Sequence, residues 1–421
     1  MSARPTRIYL FTDRYPYGRG ETFVEGELRT RTGGTEKITV FPARKAQTIR
    51  RMPEGIALNT SLAEAPRWRK AAAAFRALFS PYLWSLPFRS RRPNTLRGWR
   101  NAAGGLYRAY LTFLTLKSSE ELLFSRADVF YSYWLDNTAT GIALAKGRLK
   151  TLRDKPLVCR AHGYDVFEQA RGIFFPARPQ ALERIDRVFP VSFAGESYLK
   201  ARYPRVASRI VCRHLGVDSQ AVPPREAPQK VLRIVSCANV IALKRIDLTG
   251  EFLKRYARLH PETQIRWTHF GTGVLLEHVK TLAEEDAPEN FHAVFEGAVE
   301  NREILRRYAA GEFDVFVSLS RSEGMPVSAI EAMSCGIVPL CTDAGGTRDA
   351  VDASCGALLP VGLTAEAFAE ALDSIREHYG TLSAAALEKQ RRDFCARDNF
   401  EAFYRTLDSL ARKKQVLSRK G

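Results

Sequence analysis

The chain lacks any run of the ~18 uninterrupted apolar residues that a membrane-spanning helix requires. The best candidate, LYRAYLTFLTL (106–116), is short and carries Arg108. The first residues, MSARPTRIYLFTDRYP, hold an apolar run of only four, which suits a first β-strand better than an export signal. A cytoplasmic protein is expected. No CxxC spacing occurs among the seven cysteines, Cys159, Cys212, Cys237, Cys335, Cys341, Cys355 and Cys395. They are odd in number and dispersed, which favours small buried apolar residues over disulfides or zinc ligands. Helix-turn-helix, RNP and zinc-finger patterns are missing, so nucleic acid is not an expected partner. Internal repeats and low-complexity tracts are missing too. No DxD-type string closes a predicted strand, so no metal ligand set is expected.

Acidic residues are the most unevenly distributed absence. Lys and Arg number 64 against 46 Asp and Glu, a formal charge of +18. Between Ala65 and Ser119 there is no acid at all and there are eleven bases, so this one stretch supplies +11 of the excess. Such a balance suits an anionic partner. The same stretch holds Trp68, Trp84 and Trp99, three of the five tryptophans. Trp68, Phe75, Leu78, Phe79 and Tyr82 recur at helical spacing, with Arg69, Lys70 and Arg76 beside them, and Phe88, Trp99, Arg89, Arg91, Arg92 and Arg97 extend the pattern. This is the pattern of an interfacial amphipathic helix over residues 67–100, docked on an anionic membrane surface. The competing expectation is a core helix pair with a solvated basic face.

The remaining composition, 45% hydrophobic and 26% charged over 421 residues, fits a soluble protein of two domains of about 200 residues each. Short apolar or β-branched runs are predicted strands at 8–12, 38–41, 129–133, 157–161, 188–191 and 210–212, then at 232–238, 264–270, 293–296, 315–318, 338–341 and 357–359. Helical patterns lie between many of them. The alternation predicts an α/β chain of two Rossmann-like, doubly wound domains with a ligand cleft between them. The stretch SQAVPPREAPQK (219–230), with three prolines and no clear period, reads as the linker. The expected division is 1–222, 223–395 and a helical tail, 396–421, returning toward the N-terminal domain.

The strongest local signal is SLSRSEGMPVSAIEAMSCGIVPLCTDAGG (318–346). A strand runs into a turn holding Glu323 and Gly324. A helix opens near Pro326, which suits a first helical turn, and carries Glu331. Its N-terminus presents main-chain N–H groups and the positive end of its dipole to an anion. Glu323 and Glu331 are carboxylate acceptors suited to a sugar and to a ribose diol. Alternatively, Glu323 stabilises the helix start and Glu331 is a solvated surface residue.

The string SEGMPVSAIEAMSCGIVPL resembles the E-x7-E signature of glycosyltransferase family 4, a large retaining family of GT-B fold. Other segments agree in order: YPYGRGETFVEGEL (15–28), YSYWLD (131–136), RAHGYDVF (160–167), HLGVD (214–218), HFGTG (269–273) and FEGAVENREI (295–304). The first three are similar to the exopolysaccharide branch of that family, the colanic-acid and amylovoran type. The resemblance implies a metal-independent transferase without a cofactor, moving a sugar from a UDP- or GDP-sugar donor to a lipid-linked glycan acceptor, peripheral on the inner face of the cell membrane.

It also implies roles for single residues. Glu331 would bind the donor ribose and Glu323 the transferred sugar, with the backbone at Gly324, Met325, Pro326 and Val327 orienting sugar and phosphate. The family's diphosphate-binding pair is an Arg followed five residues later by a Lys. In SCANVIALKRID (236–247) Lys244 matches the Lys, but Asn239 stands where the Arg is expected. Asn donates neutral hydrogen bonds only and cannot form the charged fork of Arg. Either Arg245 compensates or phosphate binding leans on Lys244 and the helix N-terminus. Gly271 matches the glycine turn after the second strand of the C-terminal domain. Gly18 and Gly20 match the flexible first loop, His162 the histidine near the donor sugar, and Asp165 would hold His162 or reach the acceptor. The implied chemistry is electrostatic: positive groups absorb the charge of the departing diphosphate, and no protein general base is assigned. A nucleotide-sugar 2-epimerase on the same scaffold is the alternative enzyme. It would need no basic aromatic platform.

Overall fold

The computed structural model describes residues 4–418 except 19, 32–35, 89–92, 121–122, 169–172, 224 and 229, and the backbone alone for 415–418. The chain forms two compact units. The first comprises Met1–Arg213 and Phe400–Gly421, the second His214–Asn399.

Each unit is built on a six-stranded parallel sheet. The first sheet contains β1 (Arg7–Thr12), β2 (Lys37–Pro42), β3 (Ala57–Leu58), β4 (Val129–Ser132), β5 (Leu157–Ala161) and β6 (Arg187–Pro190), in the order β3-β2-β1-β4-β5-β6. The second contains β7 (Val231–Cys237), β8 (Gln264–Phe270), β9 (Phe291–Gly297), β10 (Val315–Ser318), β11 (Val338–Thr342) and β12 (Ala357–Leu359), in the order β12-β11-β10-β7-β8-β9. The two orders are the same doubly wound topology. In each, chain direction of travel across the sheet reverses beside the first strand, between β1 and β4 and between β7 and β10. Ligands of such sheets bind at this switch point, outside the carboxyl ends of the strands.

Strands β1, β4, β5, β10 and β11 are buried nearly throughout because helices cover both faces, whereas the edge strand β9 (FHAVFEG) alternates exposed and more buried residues. One face of the first sheet packs against Ala102, Leu106 and Phe113 of helix Leu96–Ser118 and against Ile142 of helix Asn137–Lys146. The other face is covered by Val24 and Leu28 of helix Thr22–Thr30 and by Phe403, Tyr404 and Leu407 of the last helix, Ala396–Ser418. The second sheet buries Phe252, Leu253 and Tyr256 of helix Ile246–Leu259 and Phe368 and Leu372 of helix Ala365–Glu377.

Two expectations about chain path are corrected. Residues 210–212 form no strand; Ile210 makes a single bridge to Val188, and Val211 N–H donates to Val188 O (3.0 Å), before the first unit ends at Arg213. The proline-rich stretch 219–230 is not a free tether. Its Arg225 donates to the carbonyls of Cys335 (2.7 Å), Phe313 (2.5 Å) and Tyr308, and its own N–H donates to Ser383 Oγ (3.0 Å), so the segment is bound onto the second unit.

The last helix is held by a buried charge pair. Arg160 Nε lies 3.3 Å from Glu27 Oε2, and both side chains are fully buried. Arg160 also donates to Tyr131 Oη (2.8 Å) and lies 3.9 Å over the Phe403 ring. Burial pushes the Glu27 carboxyl above its ordinary range, while Arg160 opposes that shift. Removing one member leaves the other charge unpaired in the core, which costs about 3–5 kcal/mol. Glu27→Ala is therefore expected to lower unfolding stability by that amount in urea titrations. A loss below ~1 kcal/mol, the range of an exposed pair, would show that the network does not hold the helix.

Candidate active site

In the second unit the site residues follow β7 and β10, the two strands that flank the switch point. The loop after β7 reaches Lys244 through a turn closed by Lys244 N–H to Ile241 O (2.9 Å). Arg321 N–H, in the loop after β10, donates to Leu243 O (2.9 Å) and joins the two loops. Lys244 Nζ then meets Glu323 Oε1 at 2.5 Å, and both side chains are largely but not fully covered, at 21% and 13% exposure. A lysine and a carboxylate 79 residues apart are thus brought together at the mouth of the sheet.

Arg245 points elsewhere. It takes a left-handed backbone (φ 50°), and its buried guanidinium donates to Val361 O (2.7 Å) and Leu319 O. Asn239 is exposed on the same loop. Nε and Nη1 of Arg245 are spent on main-chain carbonyls and its buried Nη2 has no partner, whereas Lys244 is the cation of this loop that meets Glu323.

Glu323, Gly324 and Val327 are partly exposed, and Met325 and Pro326 are buried beneath them. Helix Val327–Met333 starts at Pro326, and Val327 N–H is already used by Met325 O (2.9 Å). Glu331 takes a different partner from Glu323: Asn301 Nδ2 donates to its Oε1 at 2.9 Å. Burial pushes the Glu331 carboxyl up to about 7, against the hydrogen bond from Asn301. Gly271 has φ 144°, and a Cβ there would lie 1.9 Å from Ala238 O, so the turn after β8 can approach the β7 loop only as glycine.

In the first unit the corresponding loops follow β1, β4 and β5. Gly18 (φ 71°) donates its N–H to Thr48 O at 2.9 Å, and Gly20 O accepts from Arg50 Nη2. The loop is held from within by Glu21, whose carboxylate accepts the N–H groups of Asp13 (3.0 Å), Arg14 (2.7 Å) and Tyr15 (2.7 Å). The same carboxylate accepts Trp134 Nε1 at 2.6 Å, which ties the β1 loop to the β4 loop across the switch point of this sheet.

His162 lies after β5 in an aromatic box. Its ring centroid is 4.5 Å from Trp134, 5.1 Å from Tyr133 and 5.7 Å from Phe23. Both ring nitrogens are buried without a hydrogen-bond partner. Burial, helped by the charge of Arg160, lowers the imidazole to about 3, so it is neutral at physiological pH. Asp165 is fully buried and accepts the main-chain N–H of His162 (2.5 Å) and of Leu135 (2.6 Å). Burial pushes its carboxyl up to about 7 against the charge of Arg178 and these donors. It holds the His162 loop through the backbone and has no exposed surface with which to reach an acceptor.

Three residues of these sites escape a reading of the sequence alone: Asn301, Glu21 and Trp134. Each lies inside a recognisable motif string, but its role rests on a partner far away in the chain.

The family model for Glycosyl transferases group 1 matches residues 223–393. WcaL of Escherichia coli (strain K12), assigned to colanic acid biosynthesis as a glycosyltransferase, is 27% identical over 300 residues, covering 68% of this chain and 70% of WcaL. The sulfoquinovosyl transferase SQD2 of Arabidopsis thaliana is 32% identical over 143 residues, covering 32% of this chain and 26% of SQD2. Among solved structures, the lipopolysaccharide outer core galactosyltransferase WaaB superposes with a TM-score of 0.67 at 15% identity, over 96% of this chain and 99% of WaaB. HepE of Anabaena, solved with UDP, superposes at 0.63 and 15% identity, over 96% of this chain and all (100%) of HepE. The second unit is a group 1 glycosyltransferase domain, and the chain is a glycosyltransferase of GT-B fold.

Proposed function

We propose that this transferase moves a sugar from a UDP- or GDP-sugar to a lipid-linked glycan in the synthesis of a bacterial exopolysaccharide or other surface polysaccharide. It works on the cytoplasmic face of the cell membrane, retains the anomeric configuration and uses no metal. The observation that carries the reading is the Lys244–Glu323 pair at the switch point of the second sheet. The pair supplies one cation for a departing diphosphate and one carboxylate for sugar hydroxyls. When a donor enters, its phosphate replaces the Glu323 carboxylate as partner of the ammonium, and the released carboxylate accepts hydrogen bonds from the sugar. Charge that builds on the leaving oxygen is met by a group already in place. Glu331, beside Asn301, accepts from the ribose. His162 is neutral, and its two buried nitrogens have no protein partner; once Phe23, Tyr133 or Trp134 shifts to open the aromatic box, it meets a sugar hydroxyl as donor or acceptor without moving a proton. The WcaL likeness supports the polysaccharide context, and the HepE–UDP complex supports a nucleotide donor.

The test is a thermal-shift screen of nucleotide sugars, followed by transfer to a polyprenyl-diphosphate-linked glycan. A donor at about 100 times its Kd adds ~2.7 kcal/mol to stability. No stabilisation by any UDP- or GDP-sugar would overturn the reading. Conversion of the donor with no acceptor product would favour the epimerase instead. Transfer is expected to continue at full rate in EDTA; loss on chelation, restored by Mg²⁺ or Mn²⁺, would show that a metal rather than Lys244 carries the leaving-group charge.

A further inference from the structure

Helices on a globular core normally turn their bulky apolar side chains inward. Helix Arg67–Leu78 does the reverse. Its buried residues are Ala73 and Ala77, and small side chains let it lie close against helix Leu96–Ser118. Trp68 (63% exposed), Phe75 (64%) and Leu78 (56%) stand on the opposite face, and Phe79 (67%), Trp84 (64%) and Phe88 (90%) continue the apolar surface past its end. Most of the large apolar side chains left exposed among the described residues of the first unit therefore fall within one short stretch. Tyr82 and Trp99, expected on this surface, instead pack against the core. Arg89, Arg91 and Arg92 lie outside the described residues.

We propose that this surface inserts into the headgroup–acyl boundary of an anionic bilayer. Three observations select that occupant. The stretch from Ala65 to Ser119 contains no carboxylate, and Arg67, Lys70, Arg76, Arg97 and Arg100 are all exposed around the aromatics. Such a rim matches a layer of anionic headgroups, each base being worth about a fivefold gain in partitioning. The indole N–H of Trp84 donates internally to Leu78 O (2.7 Å), so its ring enters an apolar layer with no unpaired donor. A second copy of the chain is the wrong partner: an isologous contact would press this basic surface against itself with no acid to neutralise it. The proposal rests on the reading of a membrane-borne acceptor and names the surface that brings the enzyme to it.

The experiment is co-sedimentation of the full chain with vesicles of phosphatidylcholine alone and with 30% phosphatidylglycerol, read beside tryptophan emission. Wild type is expected to bind the anionic vesicles at least tenfold more strongly, with a blue shift in emission, and to lose most binding at 0.5 M salt. A Trp68→Ser, Phe75→Ser, Phe79→Ser, Trp84→Ser variant, every changed residue exposed, is expected to lose tenfold or more on anionic vesicles with an unchanged melting temperature. Should that variant be misfolded, Trp68→Phe, Trp84→Phe in the wild-type background is expected to bind normally and lose the blue shift. Equal pelleting of wild type and the folded Ser variant, equal binding to neutral and anionic vesicles, or self-association in sedimentation velocity without vesicle binding would each overturn the proposal. Transfer to a detergent-solubilised lipid-linked acceptor, run in parallel, separates the two readings. Vesicle binding without transfer leaves docking intact and removes the catalytic reading; transfer without vesicle binding does the opposite.

Discussion

Replacing Lys244 with alanine is expected to lower kcat by about 10²–10³-fold, the scale set by removing one preorganised group that meets transition-state charge. The loop after β7 carries Asn239 where the family resemblance implies an arginine, and Arg245 is committed to Leu319 O and Val361 O. Lys244 is therefore the cation of this loop that meets Glu323, while Nε and Nη1 of Arg245 are held by the backbone. Its ammonium is held 2.5 Å from Glu323 in a largely covered position, where a charged hydrogen bond is screened less than at the surface. The fold should survive, because the side chain contributes no core packing and its partner keeps some access to water. Measurement of kcat at saturating donor, with the melting temperature of the same preparation, checks both halves. Near-normal turnover in Lys244→Ala would remove this residue from the leaving-group chemistry.

Substitutions at Glu331 and Glu323 should fail in different kinetic parameters. Glu331 is placed to hold the ribose equally in ground and transition states, so Glu331→Ala is expected to raise KM about 10–100-fold with little change in kcat, the worth of a charged hydrogen bond of about 1.5–3 kcal/mol. Glu323, paired with Lys244, lies beside the reacting sugar in the proposed complex, and Glu323→Ala is expected to act mainly on kcat. A pH signature separates the Glu331 effect from a general disturbance. Burial raises the Glu331 carboxyl to about 7, so below that pH the free protein holds a proton there. Ribose hydroxyls donate to the ionised carboxylate, so binding must expel that proton. KM should therefore fall about tenfold per pH unit as pH rises toward 7 and level off above it. Glu331→Gln should flatten this limb. Unchanged KM and kcat in both alanine variants would leave the two residues with structural roles only.

Much of this architecture was legible because its determinants are local. Eleven of the twelve predicted strands are observed, their ends shifted by a residue or two, because an apolar run bounded by polar turns is its own signal. The exception, residues 210–212, has the same composition and runs beside β6, with Val211 N–H to Val188 O (3.0 Å) and Arg213 N–H to Pro190 O (2.9 Å), but it closes only one bridge, at Ile210. A strand also needs a continuous ladder on its neighbour, which composition does not provide. The two-residue β3 was too short to carry a pattern. The proline-rich stretch read as a linker for a similar reason. Its prolines are local, but the carbonyls that capture Arg225 come from Tyr308, Phe313 and Cys335.

The candidate site divides along the same line. Glu323, Gly324, Glu331 and Lys244 could be named from motif strings, since turn chemistry and helix starts leave marks within a few residues. That Lys244 pairs with Glu323, that Asn301 holds Glu331, that Arg245 is spent on the backbone and that Asp165 is sealed from solvent depend on where the sheets place loops far apart in sequence. Helix 67–78 is the sharpest case. Its spacing of aromatics and alanines establishes an amphipathic helix, and the missing acids establish its charge. Hydrophobicity alone would turn the aromatics inward. Contact with helix Leu96–Ser118 turns them out, because only the alanine face lets the two backbones approach closely enough to pack.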